Sequence, residues 1–284
     1  MIKDKWIDLH LHTNYSDGLL TPSQVVKKAK EVGLKAVAIV DHDTIDGIEE
    51  AVETGSRIGV EVVPGVELSS QYNGKDIHIL AYYFDPDHTY LKRYLKKFRE
   101  ERYRRAAKMI QNLNRLGIHL TMDEVEERSK GGSIGRPHLA EVLMEKGYIE
   151  TFQEAFHHYI GYHSEAYEEK YKIHPEEAFD LISKAKGLSF LAHPGHFISD
   201  HEILSFVKSG LDGIEIIHPK FNENRTQHLQ QLAWDNDLLI CGGSDCHGGR
   251  DGQIYIGKYN VPYTVLRDMK LVLRKRWDTH PSTG

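Results

Sequence analysis

The stretch LKAVAIVDHDT, Leu34 to Thr44, decides how the rest of the chain is read. Its first seven residues are mostly apolar and rich in β-branched side chains, the pattern of a strand buried on both faces, as in a parallel sheet. It then stops abruptly at Asp41-His42-Asp43. Behind it lies a helical pattern, with Thr21 as N-cap, Pro22 in the first turn, an apolar stripe of Val25, Val26, Ala29 and Val32, and Gly33 as the stop. Behind that is WIDLHLHTNYSDG, Trp6 to Gly18, a short strand followed by turn formers. Ahead come a second helix, Gly47 to Ile58, and VEVVPGVE, Val60 to Glu67, read as a strand and turn. Strand, helix, strand, helix, strand is the order of a parallel α/β fold.

The alternation resumes at Pro175. PEEAFDLISKAKG is helical and stops at Gly187; LSFLAHPG is a strand; HEILSFVKSG is a helix; LDGIEIIHP is a strand; ENRTQHLQQLAWDND is a helix; and LLICGGSDCHG is a strand. The middle, from Tyr90 to Lys172, is charged, poor in strands and helical in spacing through Leu91, Leu95, Phe98, Ala106, Ile110 and Leu113. We expect residues 1–98 and 173–284 to form the two parts of an α/β barrel and residues 99–172 a helical lid inserted between them. The tail THPSTG is expected to be disordered.

The bulk numbers agree with a globular chain. It has 284 residues, 40% hydrophobic and 27% charged, with a formal net charge of -6. That charge offers no global basic surface for duplex DNA. Two cysteines, Cys241 and Cys246, make no disulfide framework and fit a reducing cytosol. No apolar signal segment or membrane span is present, so a cytoplasmic protein without a membrane partner, acting as a monomer, is expected.

The 18 histidines gather where chemistry occurs in such folds. The first strand ends in His10 and His12, which share a face because side chains two apart on a strand do so, with Asp17 in the following turn. Asp41, His42 and Asp43 end the second strand, and Glu67 follows Pro64-Gly65. His78 lies in KDIHILAYYF, His193 in FLAHPG, and Asp245 and His247 in GGSDCHG. Sites in parallel α/β proteins form at the carboxyl ends of strands, and ordinary core histidines would be scattered through strand middles and helices as well. Nine candidate ligands (His10, His12, Asp17, His42, Glu67, His78, His193, Asp245 and His247) exceed the four that one tetrahedral zinc needs. They suggest two or three divalent ions sharing carboxylates, with Glu67 and one aspartate as natural bridges. Nitrogen and oxygen donors without thiolate suit manganese, iron or zinc. Cys246, between Asp245 and His247, is expected to point away and pack.

The motifs DLHLHTNYSDG, VDHDT, GVELSS, AHPG and GGSDCHG together resemble those of the polymerase and histidinol phosphatase (PHP) superfamily over nearly the whole chain. GRPHLAEVLMEKG, GLDGIEIIHP and the Arg-rich middle helix are similar to a branch of small bacterial phosphoesterases. That branch acts on nucleoside 3′,5′-bisphosphates and, in some members, trims RNA from the 5′ end. The resemblance implies a distorted (β/α)7 barrel with a trinuclear metal centre. It implies that His10, His12, Glu67 and Asp245 hold one ion, Asp17, His42 and His247 a second, and Glu67, His78 and His193 a third. Asp17 stands where some relatives have His. In GRPH it implicates Arg136 and His138 in catalysis and in binding a substrate phosphate. AYEEKYKIHPEEA lacks the proline the branch tends to place after Ala-Tyr, which bears on lid shape and not on the chemistry. His196 has no counterpart and reads as a surface residue.

Other positions have two readings each. Asp41 and Asp43 face away from His42 and orient a ligand, or Asp43 moves a proton as a catalytic group. His218, at another strand tip, touches substrate phosphate. Arg99, Arg102, Arg104 and Arg105, with Tyr103, are a solvated face or an edge that guides a nucleotide or a short single-stranded RNA to the metals. For function, the first reading is a metal-dependent phosphoesterase acting on the 3′-phosphate of nucleoside bisphosphates or on short 5′-phosphorylated RNA. The alternatives are a phosphatase of another small phosphomonoester, such as histidinol phosphate, and a non-catalytic metal-binding module.

Overall fold

The computed structural model of the chain describes residues 5–195, 198–250 and 252–278. His196 and the tail THPSTG lie outside them. Strands β1 (Trp6–Leu11), β2 (Ala36–Ile39), β3 (Glu61–Tyr72), β4 (Lys75–Tyr82), β5 (Leu188–Leu191), β6 (Gly213–Ile217) and β7 (Leu239–Gly242) stand side by side in chain order. A two-residue strand, β8 (Val261–Pro262), pairs antiparallel with β1. The sheet curls until the His12 amide donates to the Cys246 carbonyl at 3.1 Å, so β1 meets the chain just beyond β7. The result is the distorted, nearly closed barrel expected.

The helices are α1 (Pro22–Glu31), α2 (Ile48–Ile58), α3 (Thr89–Arg115), α4 (Met122–Ser129), α5 (Arg136–Glu145), α6 (Phe152–Glu154), α7 (Pro175–Lys184), α8 (Asp200–Lys208), α9 (Glu223–Asp235) and α10 (Thr264–Asp278), with a short π-helical segment, Ala155–Tyr159, after α6. Thr21 caps α1 through a reciprocal pair with Gln24, which satisfies two otherwise orphaned amides. Ile7, Leu9, Ala38, Val40, Val63, Leu80 and Phe190 pack as one buried cluster, which α10 extends with Met269 and Leu266. No helix among the described residues is long and apolar enough to cross a membrane.

Two expectations are corrected. The sheet is not wholly parallel: β4 runs antiparallel to both β3 and β5. The cause is Asn73-Gly74, with φ of 49° and 75°, the left-handed pair that a two-residue hairpin turn needs. Nor does a turn follow Val63. β3 runs straight through Pro64-Gly65, and Glu67 sits mid-strand, past the end of β2, which stops at Ile39. Gly65 is required there, because a Cβ would stand 2.6 Å from Val40 Cγ1 and 2.9 Å from the Ile39 carbonyl oxygen. As β4 is reversed, its amino-terminal half, with His78, comes to the same rim as the carboxyl ends of the parallel strands.

Helix α3 belongs to two cores. Leu91, Leu95 and Phe98 pack with Phe179 and the barrel. From Ala106 onward its apolar face joins Val125, Leu139, Leu143 and Ile160 in a separate cluster. At 27 residues it is about 40 Å long and carries the helical segment across the barrel mouth.

Candidate metal centre

The centre begins with an irregularity in β1. Ile7 and Leu9 face the barrel core, whereas Leu11 packs outside with Val25 and Val26 of α1. A register shift between Asp8 and Leu11 accounts for the change of face, and it turns His10 and His12 together to the mouth. Their rings lie 5.2 Å apart. Glu67, 1% exposed, occupies the middle. Its Oε1 lies 2.8 Å from His78 Nδ1 and 3.1 Å from His193 Nε2. Its Oε2 lies 3.2 Å from both His12 Nε2 and His42 Nδ1, and 3.4 Å from His10 Nε2. Each oxygen of one carboxylate therefore faces its own group of imidazoles. Asp245 Oδ1 stands 3.3 Å from His12 Nε2, and Asp17 Oδ1 stands 3.3 Å from His247 Nε2.

All nine expected ligands thus meet at the mouth. His12, Asp17, His42 and His247 present ligand atoms within 4.8 Å of one another, as do His10, His12 and Glu67; His10, His193 and Asp245; and His42, Glu67 and His78. The donor set fits divalent ions on a further ground. Both ring nitrogens of His12, and Nδ1 of His42 and of His78, are buried without a hydrogen-bond partner. Such orphaned groups are costly, and a metal ion satisfies them. Burial alone would raise the Glu67 carboxyl, but His42, His78 and His10 outweigh it and hold the group well below the usual range. Asp245 and Asp17 are depressed in the same way, against burial, by His10 and His247 respectively. Burial pushes His42 and His78 down, against the pull of Glu67.

A ring of carboxylates orients these ligands. Glu215, buried in mid-β6, takes His10 Nδ1 at 2.9 Å and the His193 amide at 2.6 Å. That fixes the His10 proton on Nδ1 and turns Nε2 to the centre. Asp41 accepts from the Thr13 amide at 2.7 Å, the Thr13 hydroxyl at 2.6 Å and the Ser16 hydroxyl at 2.5 Å, pinning the loop that carries Asp17. Asp8 accepts from the Ser244 amide at 2.9 Å. Asp43, His193 and Asp245 hold left-handed backbone, φ 53°, 30° and 49°, the sort of strain that functional sites retain.

Two expected residues, Asp43 and His218, already have their polar atoms engaged by the protein. Asp43 accepts from the Ser69 amide and hydroxyl, both at 2.7 Å, and from Arg102 Nε and Nη2 at 2.9 and 2.6 Å. Burial would raise its carboxyl, but Arg102 and Lys170 outweigh it, and the group stays ionised. With three of these bonds on Oδ2 and one on Oδ1, its geometry is that of a clamp between α3 and β3. His218 Nδ1 accepts from the Lys220 amide at 3.1 Å, so Nε2 carries the proton and meets Asp245 Oδ2 at 3.2 Å. Neither nitrogen is left for a phosphate, and the residue orients Asp245. Arg136 makes no carboxylate pair. Its guanidinium lies 4.8 Å from the Tyr162 ring centre, 5.3 Å from Phe156 and 5.7 Å from Tyr167. His138 is buried, and its Nδ1 accepts from the Gly135 amide at 3.0 Å, which places the proton on Nε2. Burial lowers its pKa despite nearby Asp17, so the ring is neutral.

Beside these lies a group of cations. Lys170 Nζ is 3.3 Å from His78 Nε2, and burial together with Arg102 pushes it down to about 8, against the pull of Asp43 and Asp76. Arg105, stacked 5.5 Å from Tyr167, is pushed down to about 10 by burial, Arg136 and Arg102. On the opposite half of the mouth, beyond β6 and β7, a cavity of about 670 Å³ opens against Asp17, Asp245 and His247.

The PHP domain family matches residues 8–200 of the sequence. The chain belongs to the PHP domain family. Among its relatives, the 5′-3′ exoribonuclease of Haemophilus influenzae is 31% identical over 248 residues, covering 86% of this chain and 90% of its own. The 3′,5′-nucleoside bisphosphate phosphatase of Chromobacterium violaceum is 31% identical over 255 residues, with the same coverage. The solved structure of a proposed metal-dependent phosphoesterase from Bifidobacterium adolescentis superposes with a TM-score of 0.88 at 30% identity, covering 94% of this chain and 96% of that one. This PHP chain is therefore a metal-dependent phosphoric ester hydrolase.

Sequence reading missed Glu215 and Lys170. A lone glutamate within GIEII, an otherwise apolar strand, was a usable signal for the first. Lys170 lies in a run of Glu and Lys, EEKYK, that reads as solvated surface, and only tertiary packing brings it to His78.

Proposed function

We propose that this PHP enzyme hydrolyses the 3′-phosphate of nucleoside 3′,5′-bisphosphates and trims short 5′-phosphorylated RNA from its 5′ end. The observation that carries this reading is the group of like charges, Arg105, Arg136 and Lys170, packed beside the nine-residue cluster. Like charges packed against one another have few reasons to assemble except to meet an anion. The mouth thus offers two phosphate positions, one at the cluster and one at the cations. Two phosphates on one ribose fill both.

The nine ligands suit two or three divalent ions, manganese, iron or zinc, with Glu67 between them. Ions held there supply a hydroxide near neutral pH and neutralise phosphoryl oxygens. The chain's own residues do the rest. Arg136, kept rigid by its three rings, suits a bidentate grip on the non-reacting phosphate, and Lys170 adds a point charge. His138 Nε2–H is available as a donor. Binding energy from the held phosphate orients the reacting one, so it appears in the rate.

The test is product analysis with the Mn²⁺-loaded protein. Adenosine 3′,5′-bisphosphate should give AMP and phosphate at least about 30-fold faster than AMP is hydrolysed, since a buried charge-assisted contact is worth about 2–5 kcal/mol. RNA with a 5′-phosphate should be shortened from that end, and its 5′-hydroxyl counterpart should be cut poorly. Equal rates on AMP and the bisphosphate, or faster release from histidinol phosphate, would overturn this reading and leave the hydrolase class intact.

A further inference from the structure

The cavity beside Asp17, Asp245 and His247 is more than a terminal phosphate needs. Of the cations that suit the non-reacting phosphate, Lys170 stands over β4, against His78. The cavity lies over the other half, framed by His218 to Lys220 after β6 and by Ser244 to His247 after β7. An ester arm that leaves the reacting phosphate on the side away from Lys170 would meet this cavity. At about 670 Å³ it falls within the range of small-molecule sites, roughly 300–1,000 Å³.

Its walls have the character of a single-strand platform. Phe152, Tyr255 and Tyr259 line it. Phe152 is held in place by Arg250, whose guanidinium lies 5.4 Å from the ring centre while its Nε donates to the Asp17 carbonyl at 2.8 Å and Nη1 pairs with Glu141. Lys220 stands at the rim, 72% exposed, with Nζ 3.9 Å from Asp245 Oδ2. Aromatic faces beside a mobile cation are how proteins hold successive nucleotides without reading their sequence.

We propose that this cavity is the subsite for the nucleotide on the 3′ side of the scissile phosphate, its base against the aromatic wall and its following phosphate met by Lys220. The inference rests on the phosphoesterase reading above and adds what separates a diester substrate from a monoester. Water attacks the phosphorus and a new P–O bond forms. The bond from phosphorus to the 3′-oxygen of the first nucleotide breaks, and that oxygen takes a proton. The products are a nucleoside 5′-monophosphate, released from the cation side, and an RNA one nucleotide shorter with a 5′-phosphate, held in the cavity. That new 5′-phosphate is the group the cations take in the next round.

The experiment compares two substrates on the Mn²⁺-loaded full chain: adenosine 3′,5′-bisphosphate, which has no downstream nucleotide, and a 5′-phosphorylated RNA pentamer. Tyr259→Ala should lower kcat/KM on the pentamer about tenfold or more, the scale of one lost base stack, and leave the bisphosphate within about twofold. Equal losses on both substrates would overturn the subsite, because the cavity would then hold the nucleoside they share. No loss on either would overturn it too. A wild-type enzyme inert on both substrates would instead overturn the phosphoesterase reading on which the subsite stands.

Discussion

Replacing Arg102 with Met separates a clamp from a catalytic role at Asp43. Asp43 is 1% exposed and holds four hydrogen bonds, two from Ser69 and two from Arg102. Met keeps most of the apolar stem but leaves the carboxylate with Ser69 alone. Removing one partner of a buried pair costs about 3–5 kcal/mol, most of it the penalty of the charge left behind. Arg102 retains 11% side-chain exposure, so water reaches the site and about 3 kcal/mol is the better figure. At about 2–4 °C per kcal/mol for a chain of this size, Tm should fall by about 6–12 °C. Calorimetry of the metal-loaded protein measures this, with limited proteolysis reporting whether α3 has loosened from β3. Adding Asp43→Asn should recover part of the loss, because no charge then remains buried. An unchanged Tm in Arg102→Met, with α3 as resistant to protease as before, would refute the clamp.

Other consequences follow from the same contacts. Glu67→Gln should lose more metal, and more activity, than His247→Ala, because Glu67 faces five imidazoles and His247 approaches one aspartate closely; elemental analysis alongside kcat/KM gives the ranking, and equal losses would speak against a bridge. Asp76 joins β4 to the segment before α7 through Lys172 at 2.6 Å and through Tyr162, and these outweigh burial to lower its pKa from 3.8 to about 2. A depressed carboxyl stabilises above its unfolded pKa and ceases to as pH falls through the folded value. The Tm gap between wild type and Asp76→Asn should therefore hold steady above about pH 5 and close between about pH 4 and pH 2. A gap that persists at the acid end would place the effect elsewhere.

The alternation of strands and helices and the nine residues that cluster at the mouth were legible because both are local. A strand buried on two faces announces itself in LKAVAIV, and a polar cluster at its end stands out against the apolar run. The reversal of β4 was also local, in YNGKD, but a strand running on to Tyr72 hides a two-residue turn from a reading that expects crossovers. The surroundings of Asp43 and His218 were not legible. Each depends on partners distant in sequence: Arg102 is 59 residues from Asp43, and Asp245 is 27 from His218. A strand-tip position gives a side chain's direction and says nothing of whether its polar atoms are already taken.

The central claim is that the two oxygens of Glu67 face separate groups of imidazoles, each of which would hold a divalent ion together with Glu67. Diffraction from manganese-loaded crystals at the manganese absorption edge tests it most directly. The account predicts anomalous peaks on both sides of Glu67, one shared with His78 and His193 and one shared with His10 and His12. A single peak, or peaks that do not touch Glu67, would contradict it.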